Sequence, residues 1–150
     1  MDLKLVRSGS DSPDFKALVA LLDKELDERY GAQQEFFGQF NSLAQIKQVV
    51  VAYADDVPAG CGAIKEYEAA TTEVKRMFVK PGFRGKGIAA AISAELEKRA
   101  KESGYSHTIL QTGLNQPEAV ALYAKAGYWH IENYGQYAGT DDSICMKKKL

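Results

Sequence analysis

Two glycines one residue apart, flanked by cations, make Arg84-Gly85-Lys86-Gly87-Ile88-Ala89 the most chemically suggestive stretch of this 150-residue chain. It follows a β-rich run that ends at Val79. It precedes Ile88, Ile92, Leu96 and Ala100, which repeat every four residues as one face of a helix. A turn entering a helix presents unpaired backbone N–H groups and the positive end of the helix dipole, which suits an anion. Glycine at such positions lets a phosphate approach the backbone, and Arg84 and Lys86 can add charge-assisted hydrogen bonds. Lys75, Arg76 and Lys80 are expected to strengthen the local positive field. A P-loop would need Gly-Lys followed by Ser or Thr, whereas Gly87 follows Lys86 here. The dinucleotide fingerprint fits residues 85–90 but wants an acid at the end of the next strand, which reads Leu110-Gln111-Thr112. A plain helix start would be weakened by the two glycines, so a diphosphate site is the favoured reading.

The segment resembles the acyl-CoA signature of the GNAT acetyltransferase family: Gln or Arg, two residues, Gly, one residue, then Gly or Ala. Arg84, Gly87 and Ala89 match it in order. Leu122-Tyr123-Ala124-Lys125-Ala126-Gly127-Tyr128 is similar to the family's Leu-Tyr, three residues, Gly-Phe or Gly-Tyr element. The likeness covers the second half of the chain; the first half agrees in the order of its elements. The resemblance implies an α/β (α+β) fold, one domain over residues 1–150, with a mixed, mostly antiparallel central sheet flanked by helices. It implies acetyl-CoA as co-substrate and direct acetyl transfer to a primary amine of a small molecule or protein. By the same resemblance, backbone N–H groups around Met77, Phe78 and Val79 meet the pantetheine arm, and residues 84–89 meet the diphosphate. Gln116 stands where the family has Asn, with Asn115 adjacent, and either can give the pantetheine arm its hydrogen bond; Tyr123 falls beside the thioester sulfur as a proton donor. Glu73, eleven residues before Arg84, matches the glutamate base of the family's histone-acetylating members.

The chemistry asks for these residue types. An amine with a lysine-like pKa near 10.4 is an ammonium at neutral pH, so a base must free its lone pair. The tetrahedral intermediate wants N–H donors, and the leaving thiolate wants a proton. Glu73 is the first candidate base, with Glu66 behind it. Glu73 can also be read as a strand-end charge paired with Lys75 or Arg76, and Tyr123 as a core aromatic. Cys61 and Cys145 lack a neighbouring His or helix start to activate them and read as buried thiols. On the acceptor side Arg29, Tyr30, Tyr134 and Tyr137 are candidate pocket walls, with interface packing the alternative. The acidic cluster Asp23, Glu25, Asp27 and Glu28 could draw a cationic amine, though a solvated helix face explains it more simply. A CoA-binding sensor or structural subunit without activity is the rival reading.

Stepwise along the chain, a strand is expected over residues 3–6 and a helix from Asp11-Ser12-Pro13 to about Arg29, with Phe15, Leu18, Val19, Leu22 and Leu26 on its apolar face. Gly31 is expected to turn the chain into a second short helix carrying Phe36, Phe37 and Phe40. Residues 48–54 and 59–67 read as a hairpin around the turn Asp55-Asp56-Val57-Pro58, and residues 73–79 extend the sheet. After the helix that Gly104 ends come a strand over 107–112, a helix over 116–125 stopped by Gly127, and strands over 128–132 and 143–149. The formal charge of -1 argues against a nucleic-acid partner, and no apolar run is long enough for a membrane span or signal peptide. A cytoplasmic protein is expected, with no metal site, since the two cysteines are far apart. Exposed strand edges make a homodimer a reasonable expectation.

Overall fold

A computed structural model describes residues 1–30, 46, 48–114 and 116–150 of the chain. The expected short helix carrying Phe36, Phe37 and Phe40 lies outside the described residues, as does Asn115. The elements are β1 (Leu3–Ser8), α1 (Pro13–Tyr30), β2 (Gln48–Ala54), β3 (Val57–Glu68), β4 (Thr71–Val79), α2 (Ile88–Glu102), β5 (His107–Gly113), α3 (Pro117–Lys125), β6 (Trp129–Ile131) and β7 (Ser143–Lys149). Short 3-10 turns occupy Pro81–Phe83 and Gly135–Tyr137. The strands form one mixed sheet in the order β1-β2-β3-β4-β5-β7-β6.

The pairs β1–β2, β2–β3, β5–β7 and β6–β7 are antiparallel. Residues 69–70 alone join β3 to β4, and so short a link suits only antiparallel neighbours. β4 and β5 are parallel from Thr71↔His107 to Glu73↔Ile109. Their connection carries α2, the crossover helix that parallel strands require. The β2–β3 turn is tighter than its sequence suggests. Asp55 and Asp56 both take positive φ, 49° and 68°, as in a two-residue I′ turn, so β3 begins at Val57 rather than at residue 59. Pro58, which has no N–H to give the ladder, sits opposite Tyr53 beside a register shift.

The described residues group into two compact units, residues 1–65 with 75–96, and residues 66–74 with 97–150. In the first, Phe15, Leu18, Val19 and Leu22 of α1 are buried with Val49, Val51, Cys61, Ala63 and Phe78 in one apolar cluster. Each such aliphatic or aromatic side chain stabilises the fold by about 1.5–3 kcal/mol. α2 enters this unit by Ile88, Ile92 and Leu96, all essentially buried. It lies close to β3 because Gly60 and Gly62 have no side chains: a Cβ at Gly60 would stand 2.7 Å from the Phe78 carbonyl oxygen, and one at Gly62 would stand 2.9 Å from both Ile92 and Leu96. In the second unit, β5 and β7 pair over seven residues, from His107↔Lys149 to Gly113↔Ser143. Leu110, Tyr123, Tyr128, Tyr137 and Met146 are buried there. No helix among the described residues is long and apolar enough to cross a membrane.

Candidate active site

The first unit holds the glycine-rich turn. β4 ends at Val79, and Lys80 donates its N–H to the Ala59 carbonyl at 2.8 Å, tying the strand end to β3. Phe83 and Arg84 donate back to Lys80 and Pro81, closing the 3-10 turn. Gly85 and Gly87 then take positive φ, 76° and 81°, a region costly for a residue with a Cβ. Nothing stands within 4 Å of where their side chains would be. The Ala91 N–H reaches the Gly87 carbonyl at 3.1 Å as the first full helical bond. The N–H groups of Ile88, Ala89 and Ala90 precede it and lack intrahelical acceptors by the geometry of any helix start. The result is an anion cradle made of backbone.

The side chain of Arg84 departs from expectation. Its Nε donates to the Val79 carbonyl at 2.8 Å, and its Nη2 donates to Glu25 of α1 at 2.7 Å. The guanidinium carbon also lies 5.7 Å from the centre of the Phe78 ring. Arg84 is therefore held by the protein rather than directed outward as a phosphate hand. Lys86 is exposed, with its Nζ 5.9 Å from the centre of the Phe83 ring. Arg76 likewise adds little outward charge: its side chain is only 8% exposed and donates to Asp23 at 2.6 Å. Lys75 is buried as well. Asp23 and Glu25 are thus ion-pair partners of β4 and the turn, which corrects their reading as a merely solvated face. Arg76 also takes φ 59° in mid-strand, a left-handed conformation that breaks the extended run just before Met77.

The second unit holds the titratable residues. Glu73 is the third residue of β4, not its first, and is 2% exposed. It accepts a hydrogen bond from the Tyr134 hydroxyl at 2.7 Å. The Tyr134 ring is met edge-on by Tyr67, centroids 5.1 Å apart, and by Tyr137 at 5.7 Å. Burial, then the charge of Glu73 and the hydrogen bond to it, pushes the Tyr134 hydroxyl well above its ordinary pKa, so it stays a donor. Burial and Glu73 raise Tyr137 in the same sense. The loop that carries these tyrosines is braced internally: Asn133 donates to the Thr140 carbonyl at 2.9 Å, and the Thr140 hydroxyl to the Tyr137 carbonyl at 2.7 Å. Tyr137 is a core residue, 1% exposed, rather than an open pocket wall.

Tyr123 is buried on α3, edge-on to Tyr128 at 5.3 Å. Burial, with Glu97 nearby, raises its pKa, so it carries its proton at neutral pH. The Gln116 Oε1 faces inward, accepting from the Thr112 hydroxyl at 3.3 Å and the Gly113 N–H at 3.4 Å. That oxygen caps the end of β5. Glu66 accepts from the Tyr105 hydroxyl at 2.8 Å at the surface, apart from the Glu73–Tyr134 pair. Arg29 lies half-buried in the last turn of α1, and nothing is described of the Tyr30 side chain. Both cysteines are free and buried, and burial pushes the Cys61 thiol up to about 12, which disfavours a thiolate nucleophile. Burial raises Cys145 too.

Sequence reasoning did not find the partners of Asp23, Glu25 and Glu73, or the role of Tyr67. The alternation Gly60-Cys61-Gly62 inside a strand was the available signal for the close approach of α2.

A model of the acetyltransferase (GNAT) family matches residues 15–128. The chain is 34% identical over 145 residues to the IAA acetyltransferase of Azospirillum brasilense, covering 93% of this chain and 95% of that protein. A Klebsiella pneumoniae structure named for acyl-CoA N-acyltransfer superposes with a TM-score of 0.83 at 26% identity, covering 99% and 97% of the two chains. The PaiA N-acetyltransferase of Thermoplasma acidophilum, solved in complex with coenzyme A, shares the fold at a TM-score of 0.74, 18% identity and full coverage of both chains.

Proposed function

We propose, from the premise that this chain belongs to the acetyltransferase (GNAT) family and is an acyl-CoA-dependent enzyme, that it moves an acetyl group from acetyl-CoA directly to a primary amine of a small molecule or protein. The observation that carries this reading is the turn at Gly85 and Gly87, whose positive φ values bare the N-terminal amides of α2. Those amides and Lys86 would hold the diphosphate of the co-substrate. The backbone of Met77, Phe78 and Val79, presented after the break at Arg76, would hold the pantetheine arm. Coenzyme A bound to the Thermoplasma relative supports coenzyme A as the ligand.

Glu73 is the base in this reading. Its carboxylate takes a proton from the acceptor ammonium, and the freed lone pair attacks the thioester carbon. Collapse of the tetrahedral adduct breaks the carbon–sulfur bond and Tyr123 gives the departing thiolate its proton; the Tyr123 phenolate then takes the second proton of the new amide nitrogen, and Glu73 returns the first to water. Tyr134 orients Glu73 and keeps it from wandering, while Tyr67 and Tyr137 hold Tyr134 edge-on. Residues 1–150 act as one acetyltransferase domain. A buried carboxylate with an ordered donor favours this over a sensor that only binds CoA.

The test is thiol release. The protein is incubated with acetyl-CoA and a broad panel of primary amines, and free CoA is measured above background. Release with at least one amine is expected. Thermal stabilisation by CoA without release from any amine would replace the enzyme with the sensor, because a ligand of the folded state alone raises its stability.

A further inference from the structure

The acidic side chains of α1 are arranged around its apolar face in a way that reaches the glycine-rich turn. Phe15, Leu18, Val19 and Leu22 mark the centre of that face. At about 100° per residue, Asp23 and Glu25 fall on its opposite shoulders, each roughly 80° from the centre. From one shoulder Asp23 accepts from Arg76 at 2.6 Å; from the other Glu25 accepts from Arg84 at 2.7 Å. A helix held on both shoulders cannot roll about its axis without breaking one pair. Arg84 is in turn fixed by three contacts of different kinds: Glu25, the Val79 carbonyl and the face of Phe78. Its Cα begins the run through Gly85 and Gly87, both at positive φ and both without the Cβ that would restrict the backbone.

We infer that Glu25 is a positioning residue for the acyl-CoA turn, acting through Arg84. The inference rests on reading that turn as the site of the acyl-CoA diphosphate. Neutralising part of the Arg84 charge costs some attraction for the diphosphate. The pair is partly buried, with 39% of the Arg84 and 23% of the Glu25 side chain exposed, so it is screened less than a fully exposed one. What it supplies is order: a turn already held in its binding conformation loses less freedom when the ligand arrives. Glu25 therefore acts on affinity for the acyl-CoA and leaves the acetyl-transfer step alone.

The experiment compares the wild type with Glu25→Gln, Glu25→Asp, Arg84→Gln and the double variant Glu25→Gln/Arg84→Gln. Kd for CoA is measured by calorimetry, and kcat and KM for acetyl-CoA by steady-state kinetics. Glu25→Gln is expected to raise Kd and KM by about five- to tenfold, the size of one ordinary hydrogen bond in a partly exposed pair, with kcat within about twofold. Glu25→Asp, which keeps the charge on a shorter arm, should fall between it and the wild type. In the Arg84→Gln background, Glu25→Gln should add nothing further.

Tighter CoA binding by Glu25→Gln would overturn the inference, since it would make Glu25 a competitor of the diphosphate. An undiminished effect of Glu25→Gln in the Arg84→Gln background would overturn it too, because the action would not pass through Arg84. So would unchanged binding in both Glu25 variants. A wild-type protein that fails to bind CoA at all overturns the reading of the turn itself, an outcome visible before any variant is made.

Discussion

In residues 1–65 and 75–96 the charged groups are spent on one another, Arg84 on Glu25 and Arg76 on Asp23, and the turn offers mainly backbone amides. In residues 66–74 and 97–150 Lys148 pairs with Glu97 in the same way, but the carboxylate of Glu73 is buried against the hydroxyl of Tyr134. Under the proposed function the first unit would hold acyl-CoA by its backbone and the second would supply the reacting side chains. Damage to the first should then appear in affinity for acyl-CoA, and damage to the second in turnover.

The hardest test of that contrast is Glu73→Gln. Tyr134 can still donate to the new amide oxygen, so the fold should survive, while loss of the base should lower kcat by about 10²- to 10⁴-fold with KM for acetyl-CoA little changed. Steady-state kinetics with varied acetyl-CoA decides it, and a change confined to KM would erase the division of labour. Gly87→Val probes the other side. Its φ of 81° would force valine into a left-handed conformation at a cost of about 1–3 kcal/mol, equivalent to roughly 5- to 150-fold in CoA affinity. Calorimetry with CoA would show this, and a large fall in kcat at saturating acetyl-CoA would contradict it.

The smallest expected effect sharpens the contrast most. Tyr134→Phe removes one donor to Glu73 and leaves the glycine-rich turn as it is, and should lower kcat/KM by about tenfold, the lower end for one hydrogen bond to a charged group. Steady-state kinetics checks it, and a kcat/KM equal to that of the wild type would show that Tyr134 does not orient Glu73.

What could be read in the residues tracks how local the causes are. α2 was legible because Ile88, Ile92, Leu96 and Ala100 repeat within one helix and Gly104, at φ 93°, ends it. The turn was legible because its glycines and its strand-to-helix setting lie within a dozen residues. Arg84 as a motif residue was legible too, but its partner was not: Glu25 is 59 residues away, and an acidic helix face looks the same whether it meets water or arginine. Glu73 and Tyr134 are 61 residues apart and meet only once the sheet has formed. The loop of residues 133–140 reads as polar and irregular, yet its own hydrogen bonds fold it into a 3-10 turn that buries Tyr137. Boundaries slipped where a turn was tighter than its composition suggests, as at Asp55 and Asp56.

Gly60 and Gly62 act as a depth gauge for α2. The seating of that helix against β3 depends on two missing methyl groups. A single carbon added at Gly62 would meet the ends of the Met77, Ile92 and Leu96 side chains, and one at Gly60 would meet the carbonyl oxygen of Phe78, which cannot swing aside. The clearance between strand and helix is thus least forgiving at Gly60, where backbone faces backbone.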